Sequence, residues 1–447
     1  MKTWDKGYKL DGQVEQFTVG SDRETDLELA VFDVLGSIAH TTMLGSIGLL
    51  NGRESKQLIS ELKAIFRLIH SGEFKIEQDV EDIHSQIEKH LIEKLGSLGK
   101  KIHAGRSRND QVLVDLHLYV RDRIFQVVQA MERLAKVLLG LSNTHKDKLL
   151  PGYTHYQVAM PSSFGLWFAS FAECLADDLL ACQAAYLFAD QNPLGSGAGF
   201  GSSFPLDRKM TTRLLGFRDM RYNVVHAMKS RGRLEQASAR ALASIADTLA
   251  RLASDVCLYA GQDYGFIELP DELTTGSSIM PHKKNPDLFE LIRGYCNRLR
   301  ALPNEIAMIS SNLHTGYHRE FQLIKEPLFK GFEIMSNCLD MLIKVLPMLK
   351  INAIDPGQEK YRYLFSVEEV NRRVQEGIPF RDAYREIAED IEKGRFSPVP
   401  EIQHIHEGSI GNLCNEEIQA KIDRRMDSFD FETAQKALNN LSCQVSE

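Results

Sequence analysis

LASIADTLARLASDVCLY, residues 242–259, places its apolar side chains at alternating steps of three and four residues. A repeat that averages about 3.5 residues keeps those side chains on one face of an α-helix. Two other segments, 124–141 and 335–349, repeat in the same way. The repeating positions are Leu242, Ile245, Leu249, Leu252, Val256 and Tyr259, then Ile124, Val127, Met131, Leu134, Leu138 and Leu141, and finally Met335, Cys338, Leu342, Val345 and Leu349. The pattern predicts an all-α protein built around a bundle of long helices.

Proline placement supports long helices, because residues 1–150 and 207–269 contain no proline to interrupt them. The periodicity breaks at 105–110, 151–153, 195–203, 263–286 and 355–357, where Gly, Ser and Pro collect. We predict an N-terminal helical domain over 1–106, a central bundle and oligomerisation domain over 107–355, and a C-terminal helical domain over 356–447.

Segment 160–190 is apolar on more than one face, which favours a helix buried in a bundle or in a subunit interface. We therefore expect a homo-oligomer. A single thick monomeric bundle would explain the same pattern.

Bulk composition excludes several classes of protein. The net charge of -8 carries no basic stripe and argues against a nucleic-acid partner. The seven cysteines form no CxxC pair and fit a reduced interior. The start of the chain has no apolar signal region, and the sequence has no long uninterrupted apolar run, so we expect a cytoplasmic protein without a membrane partner.

Three polar motifs interrupt the helical pattern. GSSIMPHKKN at 276–285 concentrates hydroxyl and basic groups in a Gly-rich loop, although Asn285-Pro286-Asp287 could be only a helix start. GRSRNDQ at 105–111 opens a helix and could bind a carboxylate with its N–H groups and arginines; alternatively Ser107 only caps the helix while the arginines face water. PGYTH at 151–155 ends in a histidine that could be merely structural.

Together these motifs resemble the fumarase/aspartase superfamily of helical lyases, and the likeness covers nearly the whole chain. The loop GSSIMPHKKNP is similar to the specific superfamily signature G-S-x-x-M-x-x-K-x-N. GRSRNDQ, PGYTH, DVLGSIAH at 33–40 and EDIH at 81–84 resemble the argininosuccinate lyase branch. The resemblance implies elimination of argininosuccinate to arginine and fumarate in arginine biosynthesis. It implies no cofactor and no metal, and a homotetramer whose sites each use three subunits.

The resemblance also implies roles for individual residues. Ser277 would be the catalytic base, with Lys283 and loop N–H groups stabilising negative charge. Thr154 and His155 are both candidates for the acid, and Glu290 would pair with the histidine. The positions implied to bind substrate are His84, Ser107, Asn109, Arg231, Asn285, Tyr317, Gln322 and Lys325.

The chain departs from the family pattern at three places. An arginine of the family is missing at Trp4 to Tyr8, and acids of the family are missing at Ser230 and Gly232, on either side of Arg231, and at Leu323-Ile324. These changes put substrate identity in doubt more than the elimination chemistry. The alternatives are a sibling lyase acting on adenylosuccinate or fumarate, a catalytically silent structural homologue, and a non-enzymatic helical scaffold.

Overall fold

The structure is a computed structural model that describes residues 11–20, 22–78 and 80–443. Five helices precede the bundle: α1 (Gly12–Val19), α2 (Asp22–Asp26), α3 (Ala30–Ser46), α4 (Gly52–His70) and α5 (Ile83–Leu95). Asn51 shows how local sequence sets a boundary. Its side chain accepts the N–H of Glu54, and the Glu54 carboxylate accepts the N–H of Asn51. This reciprocal cap satisfies N–H groups that a helix start leaves open.

The bundle occupies the middle of the chain. Its helices and the short ones between them are α6 (Arg108–Thr144), α7 (Phe164–Ala189), α8 (Arg208–Leu214), α9 (Val224–Met228), α10 (Arg233–Tyr259), α11 (Asp287–Ile309) and α12 (Lys325–Val345). The three predicted stripes lie on α6, α10 and the stretch from α12 to Leu349. All their positions are buried except Leu141 and Tyr259, which are partly buried. The all-α prediction is confirmed.

Contacts between helices fix the direction in which each one runs. The start of α7 lies against the end of α6, where Phe164 N–H donates to the carbonyl of Lys148 at 3.0 Å. The end of α7 lies near the start of α6, where His117 Nδ1 donates to the carbonyl of Ala189 at 2.8 Å. His117 also contacts Ser230 at 3.3 Å, just before α10. Helices α6 and α10 therefore begin at the same end of the bundle and run in the same direction. We call the end where they begin the upper end and the other the lower end.

Short strand pairs join the helices. The strands are β1 (Leu149–Thr154), β2 (Gln157–Ser163), β3 (Gln191–Asn192), β4 (Asp219–Met220), β5 (Ile267–Glu268) and β6 (Lys350–Ile351). β1 and β2 form an antiparallel hairpin between α6 and α7, at the lower end. The apolar segment predicted as helix from residue 160 becomes helical only at Phe164, because residues 160–163 pair with β1.

Four helices follow the bundle: α13 (Ser366–Gln375), α14 (Phe380–Glu392), α15 (Asn415–Met426) and α16 (Phe431–Cys443). One buried core extends from Leu29 to Leu441, and a small separate cluster lies between α13 and α14. The domain boundaries at 106 and 355 stay predictions.

Segment Asp22–Ser46 is long and apolar enough to cross a membrane by composition. However, 78% of its most apolar window is buried inside the protein. Such burial is typical of a core helix.

Candidate functional site

The loop 276–285 is a closed turn with an oriented serine. The backbones of Thr275 and Asn285 close its base with hydrogen bonds of 2.9 and 3.3 Å. Within the loop, Ser277 Oγ accepts the N–H of Met280 at 3.2 Å and that of Ile279 at 3.4 Å. N–H donors aimed at an oxygen stabilise negative charge there. The geometry therefore suits a hydroxyl that must lose its proton.

Basic and acidic groups flank this serine. Lys283 is exposed and forms no ion pair with any described residue, whereas its neighbour Lys284 pairs with Asp271 at 2.5 Å. α11 begins directly after the loop at Asp287, so the helix-start interpretation also holds. Glu290 is exposed in the first turn of that helix. The free ammonium and the carboxylate are both accessible to a ligand.

The hairpin carries Thr154 and His155 to its tip. Both are exposed, and the two-residue turn His155-Tyr156 has positive φ angles of 54° and 61°. Few residues other than glycine adopt such φ angles, and backbone strain of this kind is often found at functional sites. Tyr153 anchors the hairpin with its ring 5.7 Å from that of Tyr264. The tip therefore lies at the lower end, where the loop 276–285 also begins.

At the upper end, Ser107 caps α6. Its Oγ accepts the N–H of Asn109 at 3.2 Å, and Asp110 accepts the N–H of Ser107 at 2.8 Å. The arginine beside it, Arg108, pairs with Asp82 at 3.1 Å and Glu81 at 3.4 Å. Ser107 does cap the helix, as one of the two interpretations held, but Arg108 is tied to two acids instead of only facing water, and a role of Ser107 in binding substrate stays a prediction.

His84 is buried at this end, as are Arg231 and Lys325. Its Nδ1 hydrogen-bonds to the carboxylate of Asp33, and Asp115 lies 3.6 Å away. Gln111 Nε2 donates to Asp33 at 2.9 Å and ties the group to α6. Burial opposes a charged imidazole, but the Asp33 carboxylate outweighs it and raises the pKa of His84. Asp33 therefore favours the protonated form of His84.

Arg231, Tyr317 and Gln322 collect beside the same end. Arg231 is buried, bonds Glu235 at 3.0 Å and donates to the carbonyl of Phe321 at 2.6 Å. Tyr317 is half-buried, with its ring 6.2 Å from that of Phe321. Gln322 donates to the carbonyl of Val19 at 2.9 Å. These residues are held by the fold itself.

Lys325 is buried at the start of α12 and pairs with Asp26 at 2.5 Å and Asp22 at 2.6 Å. Burial, opposed in part by Lys325, raises the pKa of Asp22 to about 6. The two carboxylates outweigh burial and raise the pKa of Lys325, so its ammonium stays charged. A substrate would have to share this lysine with two internal partners.

One chain does not bring all the predicted residues together. α6 has 37 residues, and at roughly 1.5 Å per residue its ends are about 55 Å apart. The upper group contains His84, Ser107, Asn109, Arg231, Tyr317, Gln322 and Lys325. The lower group contains Thr154, His155, Ser277, Lys283, Asn285 and Glu290. No small substrate spans that distance.

Sequence reasoning missed several polar residues of the upper end. Asp33 and Glu81 open the quoted motifs DVLGSIAH and EDIH, so their position within those motifs was an available signal. Asp115 carried no such signal, because it lies in the middle of a helix. The departure at Trp4 to Tyr8 lies outside the described residues. Leu323 is exposed and Ile324 is buried beside Lys325.

Comparison with known proteins gives consistent matches. A family model described as Lyase matches residues 8–300. An argininosuccinate lyase of Phocaeicola vulgatus is 54% identical and covers 98% of this chain and 99% of its own length. One of Bacteroides fragilis is 53% identical, covering 98% of each chain. One of Thermotoga neapolitana is 38% identical, covering 87% of this chain and 98% of its own.

Two solved structures share the fold at low identity. An EDDS lyase in complex with formate superposes with a TM-score of 0.71 at 23% identity, covering 97% of this chain and 94% of its own. A class II fumarase from Schistosoma mansoni superposes with a TM-score of 0.69 at 15% identity, covering 92% of this chain and 95% of its own.

Proposed function

The chain belongs to the lyase family, among its argininosuccinate lyase members, and on this basis we propose that it converts argininosuccinate to L-arginine and fumarate. The reaction is an anti β-elimination that breaks a carbon–nitrogen bond, and it would serve arginine biosynthesis. The observation that carries the proposal is the 54% identity to an argininosuccinate lyase over 98% of the chain. No cofactor is expected, because a carboxylate beside the reacting carbon can take up the developing charge.

The first step removes a proton from the carbon next to a substrate carboxylate. Ser277 is the base, and the N–H groups of Ile279 and Met280 favour its deprotonated oxygen. The electron pair left on carbon spreads into the carboxylate, where the unpaired ammonium of Lys283 stabilises it.

In the second step the electron pair left on carbon forms the carbon–carbon double bond of fumarate, while the carbon–nitrogen bond breaks and its bonding pair leaves on the guanidino nitrogen. That nitrogen needs a proton, which Thr154 or His155 supplies from the hairpin tip. Glu290 orients the histidine and increases its basicity. His155 and Glu290 would meet at a contact between two chains.

The remaining predicted residues bind the two ends of the substrate. Acids gather around the upper end, where Asp22, Asp26, Glu81 and Asp82 lie beside the basic side chains. Each of these acids already has a basic partner within the chain, so a guanidinium group of the substrate would have to compete with Arg108, Arg319 and Lys325 for them. Asn285, at the lower end, would reach the same substrate from another chain.

A homotetramer accounts for the separation of the two groups, because the upper end of one chain can meet the lower end of another. Exposed apolar side chains support a subunit interface along the bundle. They are Leu180 and Leu187 on α7, Leu258 on α10, and Leu291, Tyr295 and Met308 on α11. We expect a cytoplasmic enzyme whose partners are its substrate and its own copies, with neither nucleic acid nor membrane.

Replacing Ser277 tests the proposal. We expect Ser277→Ala to form the normal oligomer while turnover falls by at least about a hundredfold, the usual range for loss of a general base. Fumarate release is followed by its ultraviolet absorbance. Undiminished release by the variant would contradict the role of Ser277.

The wild-type protein should also be mixed separately with argininosuccinate, adenylosuccinate, malate and aspartate. Cleavage of adenylosuccinate alone would favour a sibling lyase. Inactivity with all four would favour the silent homologue or the scaffold.

A further inference from the structure

His84 lies in a closed cluster built from three helices, which we call the His84 cluster: Asp33 on α3, His84 on α5 and Asp115 on α6. One nitrogen of His84 and one carboxylate oxygen of each aspartate lie within 4.8 Å of one another. Both aspartates have no solvent exposure, and His84 keeps 6%. The cluster therefore combines one imidazole with two carboxyl groups away from water.

The charge of the His84 cluster depends on the protonation of Asp115. Neither of its carboxylate oxygens finds a hydrogen-bond donor. A buried ionised carboxylate without donors is unfavourable by several kcal/mol, so such groups take up a proton instead. Burial, together with the negative charge of Asp33, raises the pKa of Asp115 well above its ordinary value. A proton on Asp115 can then be donated to the neighbouring carboxylate of Asp33.

We propose that Asp33 and Asp115 share one proton and act as positioning residues that hold His84 as an imidazolium, leaving its Nε2 for a substrate carboxylate. The inference rests on the proposed function, since the carboxylate belongs to the dicarboxylate part of the substrate. With Nδ1 occupied by Asp33, the ring has a fixed orientation. The pair carries one negative charge, which balances the one positive charge of the ring.

A proton fits this cluster better than a metal ion. The oxygen of Asp33 that meets His84 also accepts Gln111 Nε2 at 2.9 Å, so two donors already occupy it. The positive charge of Arg106 also acts on both aspartates and would repel a cation. The charged and titratable groups acting on the cluster are Asp26, Asp82, His103 and Arg106.

The test is a double-mutant cycle on the full-length enzyme. Asp33→Asn and Asp115→Asn each leave one carboxyl group, which ionises and keeps the charge beside His84. We expect each single variant to raise KM for argininosuccinate by no more than about threefold. The double variant removes the charge, so its KM should rise at least about tenfold at pH 8, more than the product of the two single effects. Turnover should change much less, because the contact to a carboxylate exists before and during the reaction.

The pH dependence separates this role from structural damage. Without the carboxylate, the pKa of His84 falls toward or below the ordinary imidazole value of about 6.5. The KM ratio of double variant to wild type should therefore shrink as the pH is lowered from 8 to 5.5. Asp178→Asn removes another buried carboxyl, one bonded to Ser244 and Thr248, and its KM ratio should not vary with pH.

Four outcomes would overturn the proposal: purely additive effects, a pH-independent ratio, a single variant as impaired as the double, or a stoichiometric metal ion bound by wild type and lost in the double variant. If the wild type cleaves no argininosuccinate, the proposed function fails by itself. The pH dependence of fumarate binding to wild type and double variant, measured by calorimetry, then decides the role of the cluster separately.

Discussion

Lys325 has an ammonium group 2.5 Å from Asp26 and 2.6 Å from Asp22, almost entirely inside the protein. Its predicted contact with substrate therefore has to coexist with a structural duty. The two acids belong to α2, and 299 residues separate Asp26 from the lysine. Desolvated charges of this kind stabilise a fold only as long as each keeps its partner.

Lys325→Met should destabilise the protein by about 3–5 kcal/mol at pH 8, because it leaves the buried carboxylate of Asp26 and the partly buried one of Asp22 without the ammonium group that both pair with. Burial raises the pKa of Asp22 to about 6 even with the lysine present, so the loss should shrink as the pH falls and this carboxyl group takes up a proton. Denaturant unfolding followed by circular dichroism at pH 8 and pH 5.5 measures both effects.

The matched control is Lys330→Met on the same helix. Lys330 is exposed and pairs with Glu333 at 2.8 Å, and exposed pairs contribute at most about 1 kcal/mol. Equal losses in the two variants would contradict the importance of burial.

At this scale, the sequence predicted individual residues unevenly. Motifs, which mark short stretches of chain, predicted Ser277 and His84. The family resemblance predicted Lys325. The partners Asp22, Asp26 and Asp115 were not predicted, because contacts between distant segments leave no local pattern.

At the scale of elements, the junction of α6, the hairpin and α7 positions the catalytic tip. Gly165 lies where α7 starts against the end of α6. A Cβ there would come within 2.6 Å of Lys146 Cα and 2.8 Å of the Ser142 carbonyl oxygen. Only glycine permits so close an approach of two backbones.

Gly165→Ala should therefore destabilise the protein by about 1–3 kcal/mol, the usual cost of overpacking. It should also reduce turnover, because the hairpin that carries His155 is displaced. Thermal unfolding and fumarate release are the measurements.

Gly140→Ala is the control within α6, since a Cβ at Gly140 would meet nothing within 4 Å. Alanine in an exposed helix should stabilise the protein by roughly 0.5–1 kcal/mol. A neutral result at Gly165 would show that the junction can relax.

Long helices could be predicted from the sequence because one face repeats along each of them. The hairpin could not, since its turn His155-Tyr156 lacks the glycine that marks a two-residue hairpin turn, and the segment after residue 160 is as apolar as a buried helix. The local propensities of these residues therefore did not predict β2.

At the scale of the whole molecule, the upper and lower groups should come from different chains. Two inactive variants can test this when they are co-expressed with separate tags and purified as hybrids. In an equal mixture of Ser277→Ala and Asn109→Ala, about a quarter of the sites should contain both native groups if assembly is random. Fumarate release should recover accordingly.

The control is a hybrid of Ser277→Ala chains with Lys283→Ala chains. Both changes lie in the loop 276–285, so each site receives its loop from a chain that carries one change or the other. Every site in that hybrid keeps a damaged loop and should stay inactive. Equal recovery in the two hybrids, or none in the first, would contradict the shared site.

The family and the all-α class could be predicted from sequence because specific motifs and apolar stripes carry them. How copies of the chain meet could not, since a sequence holds no direct record of symmetry. The homotetramer stays a proposal, supported by the separation along α6 and by the exposed apolar side chains.

The length of α6 has a consequence for how this enzyme responds to dilution. In the proposed assembly, a chain separated from its neighbours still folds around its own core but has no complete catalytic centre. Activity per milligram should then fall as the protein is diluted below the dissociation constant of the assembly, and substrate that bridges two chains should oppose that fall by mass action. Protein concentration would therefore set the activity of each milligram of enzyme as well as the total amount of enzyme.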